Sequence, residues 1–303
     1  MPALNPSGLR GVLNLAKPGG VTSRDVVDLI SRPLRKVKVG HAGTLDPLAS
    51  GVLVVCVGPS TRLIEYVQAM PKSYRTVVRL GARSDTLDAD GRVEEAENPP
   101  VPTEADVRAA LAAQVGVIAQ VPPQFSALKV GGRRAYDLAR AGQEVALAAR
   151  SVRIDRIELI AYEWPRLEFT VDCGGGTYIR SIARDVGEGL GCGGLVEVLA
   201  RTAIGPFRLA DALDPTGLPI DAILAHLRPD ADALGAMPRL ILTADQVGAV
   251  AMGKALPAAE VPGSAGLGGE VALIGPDGVL VAIAAVAHGM IRPGKVMAAS
   301  GGG

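Results

Sequence analysis

The densest group of chemically capable residues is the run Gly40-His41-Ala42-Gly43-Thr44-Leu45-Asp46-Pro47-Leu48-Ala49-Ser50-Gly51. Asp46 precedes a proline, whose ring disfavours helical backbone in the residue before it, so this carboxylate belongs on a loop in a turn or extended conformation. Gly40, Gly43 and Gly51 permit tight turns and the close approach of a ligand, while His41 and Thr44 add polar groups nearby. A carboxylate displayed this way can act as nucleophile or base. Asp-Pro in a glycine-rich loop is also a common turn, and residue types alone leave both readings open.

Other candidates are weaker one by one. Tyr74 and Tyr178 could be ordinary packing aromatics. Arg180 follows the apolar Ile179, where a surface pair with Asp185 or a contact to a phosphate is equally easy to draw. Arg32, Arg35, Lys36 and Lys38, with Arg24 upstream and Arg133, Arg134 and Arg140 further on, form either a solvated face or a nucleic-acid contact. Global charge does not decide, since 31 basic residues balance 31 acidic ones. Thr86, Asp88, Asp90, Gly91 and Glu97 fall on EF-hand loop positions, which raises a calcium site. Against it, position one is threonine, the segment follows a predicted strand, and Pro99-Pro100 obstructs the second helix. The three cysteines and three histidines are scattered, without a CxxC pair or metal-ligand spacing. Neither a disulfide framework nor a zinc site is expected, and a reducing compartment is.

These residues must be positioned by mixed α and β elements around a large sheet. Apolar alternation predicts strands over Val52 to Val57, Tyr74 to Leu80, Val152 to Ile160 and Leu167 to Val171. Ser60 or Thr61 is expected to cap a short helix through Leu63, Ile64 and Val67. Thr103 with Asp106 predicts a capping box opening a helix through Val107 and Leu111, ended by Gly116. Gly131-Gly132 reads as a hairpin turn followed by a helix over Ala135 to Arg140. Beyond the break at Gly174 to Gly176, Ile179, Ile182, Ala183, Val186 and Leu190 recur at helical spacing. Thr243 with Gln246 predicts another capped helix. Strands over Val271 to Ile274 and Val279 to Ile283 flank the turn Gly275-Pro276-Asp277-Gly278.

A chain of 303 residues is long enough for about two domains of roughly 150 residues each. Beyond Gly253 the composition shifts to Pro, Gly and Ala, and a boundary near residues 230 to 240 is expected, giving a unit over 1–232 and a small β-rich unit over 233–303, the first folding without the second. No signal-peptide core precedes Arg10, and the longest apolar run, Val279 to Ala287, is far short of the ~20 residues that span a bilayer. The expectation is a soluble cytoplasmic protein with no membrane association.

The motif around Asp46 closely resembles the GHxGxLDPxAxG signature of TruB-type pseudouridine synthases. The similarity continues in order through Leu13 to Ser23, with Ala16 where the family has aspartate, Lys72-Ser73-Tyr74-Arg75, and the acidic loop Gly81 to Gly91. It runs on through Pro122 to Val130 with Tyr136 and Gly142, with Phe125 where tyrosine is common, then Gly176-Thr177-Tyr178-Ile179-Arg180, and Leu199 with Arg201. The blocks span about residues 11 to 208.

The resemblance implies an α+β fold, a large mixed and mainly antiparallel sheet with flanking helices, plus a small PUA-like C-terminal RNA-binding domain. It implies isomerisation of uridine 55 in the T loop of tRNA by base flipping. Asp46 is then the nucleophile or base, Tyr74 stacks on the uracil, and Arg180 pairs with Asp46 and favours its ionised form. His41, Tyr178 and Leu199 line the pocket. No cofactor or metal is implied, because substrate and product are isomers. Nor is a guide RNA or an obligatory protein partner, given the stand-alone pattern. Arg292 and Lys295 are expected to contact RNA phosphates. A non-catalytic tRNA-binding or folding protein on the same scaffold is the competing reading, opposed by the intact Asp46, Tyr74 and Arg180.

Overall fold

In the computed structural model, which describes residues 9–125, 129–130, 133–134 and 147–297, the chain opens with strand β1 (Gly11–Lys17) and helix α1 (Ser23–Leu34). It continues with β2 (Val39–His41), β3 (Ser50–Val57), α2 (Ile64–Ala69) and β4 (Lys72–Leu80). A hairpin of β5 (Ala82–Ser84) and β6 (Val93–Glu95) precedes α3 (Glu104–Ala112), β7 (Gly116–Gln120), and the short pair β8 (Lys129–Val130) and β9 (Arg133–Arg134). Then come β10 (Arg150–Glu163), β11 (Arg166–Cys173), α4 (Ile179–Gly189), β12 (Gly194–Ile204), β13 (Phe207–Arg208) and α5 (Ile220–Ala225). The C-terminal part holds β14 (Arg239–Ile241), α6 (Ala244–Ala251), β15 (Leu256–Pro257), β16 (Gly269–Ile274), β17 (Leu280–Ala287) and β18 (Met290–Val296). The turn at Gly131-Gly132, the helix expected over 135–140, and Tyr136 and Gly142 lie outside the described residues.

The first sheet runs β1-β3-β12-β4-β11-β10-β7, with β2 on β3 and β13 on β12. Its pairings are antiparallel except where β12 meets β3, at Ala200 with Ser50 and Arg201 with Gly51. This is the large, mainly antiparallel sheet expected. Alternation decides which side chains turn inward: on β4, Tyr74, Thr76, Val78 and Leu80 are buried while Arg75 is exposed. On β3, Val52 to Val57 are all solvent-inaccessible, because helices or the second sheet cover both faces.

The capping boxes at Thr103 and Thr243 form as expected. A third was not anticipated. Thr22 accepts from the Asp25 N–H at 3.1 Å while the Asp25 carboxylate accepts from the Thr22 N–H at 2.8 Å, opening α1. Val26, Val27, Ile30 and Leu34 of that helix pack on Leu13, Leu15, Leu53 and Val55. Full burial contributes about 1.5–3 kcal/mol for each such side chain, ample to hold a 12-residue helix. The cap expected at Ser60 or Thr61 does not form. Pro59 starts a 3-10 turn over Gly58–Leu63, and α2 begins behind it without a side-chain cap.

The second sheet runs β14-β16-β17-β18-β15. One face packs under α6, where Val271, Leu273, Val281 and Ile291 meet Val250. The other shares a core with the first unit, in which Ala272, Ile274, Leu280, Ile283 and Met297 join Val12, Leu63, Val67, Met70, Ile204 and Phe207. Polar clamps cross the same seam. Arg10 Nε donates to Asp230 at 2.6 Å, and its other nitrogens donate to the carbonyls of Met297 and Leu280, at 2.9 and 2.6 Å. Arg62 donates to the Val296 carbonyl at 2.6 Å. Lys295 pairs with Glu65 and lies 4.6 Å from the centre of the Tyr66 ring. The lysine expected to face RNA is engaged in this seam.

Candidate active site

Asp46 lies on the loop between β2 and β3, a segment fastened to its surroundings almost residue by residue. Ala42 N–H donates to the Val54 carbonyl at 2.8 Å. The buried Ser23 hydroxyl, at the start of α1, accepts from Leu45 N–H at 2.9 Å and donates to the Leu45 carbonyl at 3.1 Å. Pro47 offers its carbonyl to Gly20 N–H at 2.8 Å and to Lys17 Nζ at 3.3 Å. The Asp46 carboxylate projects from this pinned segment, its side chain 35% exposed.

Arg180, in the first turn of α4, supplies the opposing charge. Its Nε lies 2.9 Å from Asp46 Oδ2, yet the N–H is not aligned as a hydrogen bond, so the contact is an ion pair. The guanidinium is oriented by other groups. Nη1 donates to the Thr86 carbonyl at 2.7 Å and to Asp88 Oδ2 at 3.1 Å, and Nη2 donates to the Phe125 carbonyl at 3.0 Å. Thr86 Oγ1 and Asp90 N–H donate in turn to Asp88 Oδ1, at 2.6 and 3.2 Å. Of the residues with EF-hand spacing, Thr86 and Asp88 therefore hold an arginine, and Asp90 supports Asp88. Asp185, the other partner drawn for Arg180, pairs with Arg184 at 2.7 Å.

One cation shared between two carboxylates changes the electrostatics expected of the site. Burial raises the Asp46 carboxyl above its ordinary value and Asp88 adds to the rise, while Arg180 and Lys17 oppose it. Burial outweighs the neighbouring arginine, and the Asp88 charge on the far side of that arginine adds to the rise. Lys17 was legible only as a motif residue. It is 1% exposed, and Nζ donates to the carbonyls of Pro18 and Val21 at 2.9 and 2.5 Å. Burial pulls its ammonium down to about 8.

Tyr74 stands on β4 between Val171 of β11 and Arg201 of β12. With Leu199, Leu45 and Ala49 it belongs to one apolar cluster, so Tyr74 and Leu199 join the loop that carries Asp46. Burial raises the phenol above its usual value, with Asp46 adding to the rise and Arg201 opposing it. Tyr178 precedes α4. Its backbone makes a two-way bond with the Gln120 side chain at 2.8 and 3.1 Å, and the Arg150 guanidinium stacks 4.6 Å from its ring centre. His41 ends β2. Burial, with Arg201 and Arg24 nearby, holds its imidazole below the ordinary value, which favours the neutral ring, and its Nδ1 has no hydrogen-bond partner. Of the basic cluster, Arg32, Arg35, Lys36 and Lys38 are exposed, and among the described residues none is in an ion pair. The side chains of Arg133, Arg134 and Arg140 lie outside the described residues.

The arrangement sets a carboxylate on a pinned loop beside a fixed guanidinium, with a phenol ring and apolar side chains in the adjoining cluster. Residues 31–179 match the family model described as TruB family pseudouridylate synthase (N terminal domain). The chain is 41% identical over 301 residues to tRNA pseudouridine synthase B of Arthrobacter sp. (strain FB24), covering 96% of this chain and 98% of that one. It is 43% identical over 277 residues to the protein of that name from Mycobacterium sp. (strain KMS), covering 90% and 91%. Among solved structures it resembles a chain of the crystal structure of a Cbf5-Nop10-Gar1 complex, with TM-score 0.72, 25% identity, and coverage of 96% and 85%. A chain of an H/ACA RNP bound to a substrate RNA containing 2'-deoxyuridine shares the fold at TM-score 0.72 and 24% identity, covering 96% of this chain and 86% of that one.

Proposed function

The chain belongs to the TruB family of pseudouridine synthases, and on that premise we propose that it isomerises uridine 55 in the T loop of tRNA to pseudouridine, with Asp46 as the catalytic carboxylate. The observation that carries the reading is the Asp46 loop itself, tied down on both sides, with its carboxylate paired to Arg180.

The reaction breaks the N1–C1′ bond, turns the detached uracil, and joins C5 to C1′; the proton leaving C5 is balanced by one gained at N1. No atom or electron is exchanged with a third reactant. Asp46 acts as nucleophile or base, and the ion pair with Arg180 holds it in place when charged. Reaching C1′ and C5 requires the nucleotide to leave its stack, and Tyr74 offers the ring on which the flipped base rests. Leu199 and Tyr178 close the apolar walls that keep water from the detached base, and His41 occupies the space beside it. Arg32, Arg35, Lys36 and Lys38, exposed just before the Asp46 loop, serve as phosphate contacts for the T arm. Residues 233–303 form a PUA-like module that adds contacts to the rest of the tRNA, with Arg292 as the candidate cation left after Lys295 turns to Glu65.

Neither a guide RNA nor a protein partner is required in this reading, and the protein works in the cytoplasm. No helix among the described residues is long and apolar enough to cross a membrane. The test is incubation of the purified protein with an unmodified tRNA transcript and with a T-arm hairpin, mapping pseudouridine at nucleotide resolution. Modification at position 55 without any added RNA or protein is expected; no product, or product elsewhere only, refutes the assignment.

A further inference from the structure

Arg201 has no part in the mechanism just described, yet it touches both halves of the site. Its side chain is 2% exposed, and among the described residues no carboxylate lies within ion-pairing distance of it. Nε donates to the Val52 carbonyl at 2.8 Å and Nη2 to the Gly43 carbonyl at 3.1 Å. These carbonyls bracket the loop: Gly43 stands three residues before Asp46, and Val52 lies in the strand that follows it. Backbone contact repeats the grip. Arg201 pairs with Gly51 in the parallel contact of β12 and β3, so tightly that a Cβ on Gly51 would stand 2.2 Å from the Arg201 carbonyl oxygen. On its other side Arg201 faces Tyr74 across the β12–β4 ladder, within electrostatic reach of the phenol.

A buried cation without a carboxylate is a poor way to stabilise a core, where an apolar side chain of like volume avoids the desolvation penalty. What a guanidinium does that a methionine cannot is bind two carbonyls in fixed directions from one planar group. We propose that Arg201 is a positioning residue for the isomerisation, locking the Gly43-to-Val52 loop onto β12 and so setting the placement of Asp46 against the Tyr74 ring. The proposal rests on the uridine isomerase reading. A misplacement of about 1 Å between reacting groups lowers a rate on the order of 100-fold, so a residue that acts only through the loop backbone can govern the rate without touching substrate.

The test uses the full chain with Arg201→Lys and Arg201→Gln. Lys keeps the charge and reaches one carbonyl; Gln loses the charge. Single-turnover rate, tRNA Kd, thermal midpoint and amide hydrogen exchange of residues 42–51 are measured together with wild type. The expected result is a single-turnover rate lowered roughly 10- to 100-fold in both variants, more in Gln, with Kd within about twofold, and faster exchange confined to the loop. An unchanged rate overturns the proposal. So does failure of the Lys variant to fold, or a fall in rate, affinity and protection across the whole sheet together, because each marks a role in stability alone. If wild type makes no pseudouridine in the same assay, it is the isomerase reading that fails.

Discussion

Arg180 is held by Asp88, Nη1 to Oδ2 at 3.1 Å, with both side chains almost fully buried. The residue that orients the guanidinium therefore comes from the loop between β5 and β6, and the contact to Asp46 is made with what remains of the cation's reach. A second carboxylate beside the first holds the arginine in place and raises the pKa of the one that must ionise.

Replacing Asp88 by Asn should separate these two effects. Removing its charge lowers the Asp46 pKa, so the acid limb of the single-turnover pH profile moves to lower pH. The plateau rate falls because Arg180 is less firmly oriented. Arg180 keeps Asp46 and the carbonyls of Thr86 and Phe125, so the loss of stability should be about 1.5–3 kcal/mol, the range for a hydrogen bond to a charged group. An acid limb that stays put, read from rates over the carboxylate range, would show that Asp88 does not act on Asp46.

Asp46→Asn should abolish isomerisation while tRNA still binds. It should also raise stability at neutral pH. With the folded pKa above the unfolded one, the native state holds its proton more tightly, so ionisation above the folded value weighs against the fold, and Asn relieves it. Urea unfolding at pH 7 checks the sign: a destabilised Asn variant contradicts it.

Two buried lysines predict an alkaline gain. Burial lowers Lys17 and Lys72 from 10.5 to about 8. Between those values the unfolded chain binds more protons at these two lysines than the native one does, so their contribution to stability rises with pH across the window and is absent below about 8. Because the raised thiols of Cys56 and Cys173 act with the opposite sign above pH 9, the lysine is isolated by difference: the unfolding free energy that Lys72→Met gains over wild type at pH 8 should shrink at pH 9 and 10, giving the variant the less positive slope. An equal slope in variant and wild type excludes Lys72 as a contributor.

Gly51→Ala tests the close approach of β3 to β12. Gly51 has φ +106, and the added carbon would sit 2.2 Å from the Arg201 carbonyl oxygen. Left-handed strain of about 1–3 kcal/mol and overpacking of similar size should combine to lower the thermal midpoint strongly. A midpoint near wild type would mean that the two strands part without loss.

Ending the chain after residue 232 should leave an unstable remainder, contrary to the expectation from composition. The cut removes Ala272, Ile274, Leu280, Ile283 and Met297 from the shared core, together with two carbonyl partners of Arg10. At about 1.5–3 kcal/mol for each large side chain, the loss approaches the ~5–15 kcal/mol that holds a whole domain. Size-exclusion chromatography and thermal melting decide: a monomer with a cooperative, near-native melt would establish independent folding.

The parts legible in the sequence are those governed by near neighbours. Pro47 sends Asp46 onto a loop; Thr103 with Asp106 and Thr243 with Gln246 open helices; alternation from Tyr74 to Leu80 turns the tyrosine inward. Thr22 with Asp25 carried the same signal for α1 and, followed by Val26, Val27, Ile30 and Leu34, was readable in the same way. The motif resemblance, carried by ordered blocks, placed Tyr74, Arg180 and Leu199 around one carboxylate. Apart from the Arg180–Asp46 pair that the resemblance implied, pairings between distant residues were not legible. Asp88 meets Arg180 across 92 positions, and Arg201 meets Gly43 across 158. Lys295 turns to Glu65 because the second sheet lays an apolar face on the first, a face that alternation alone could assign equally to solvent. Such contacts depend on strand order and register, with β12 inserted between β3 and β4. Those follow from the burial of the whole chain at once, since a one-residue slip in any of these strands would turn its inward side chains to the other face.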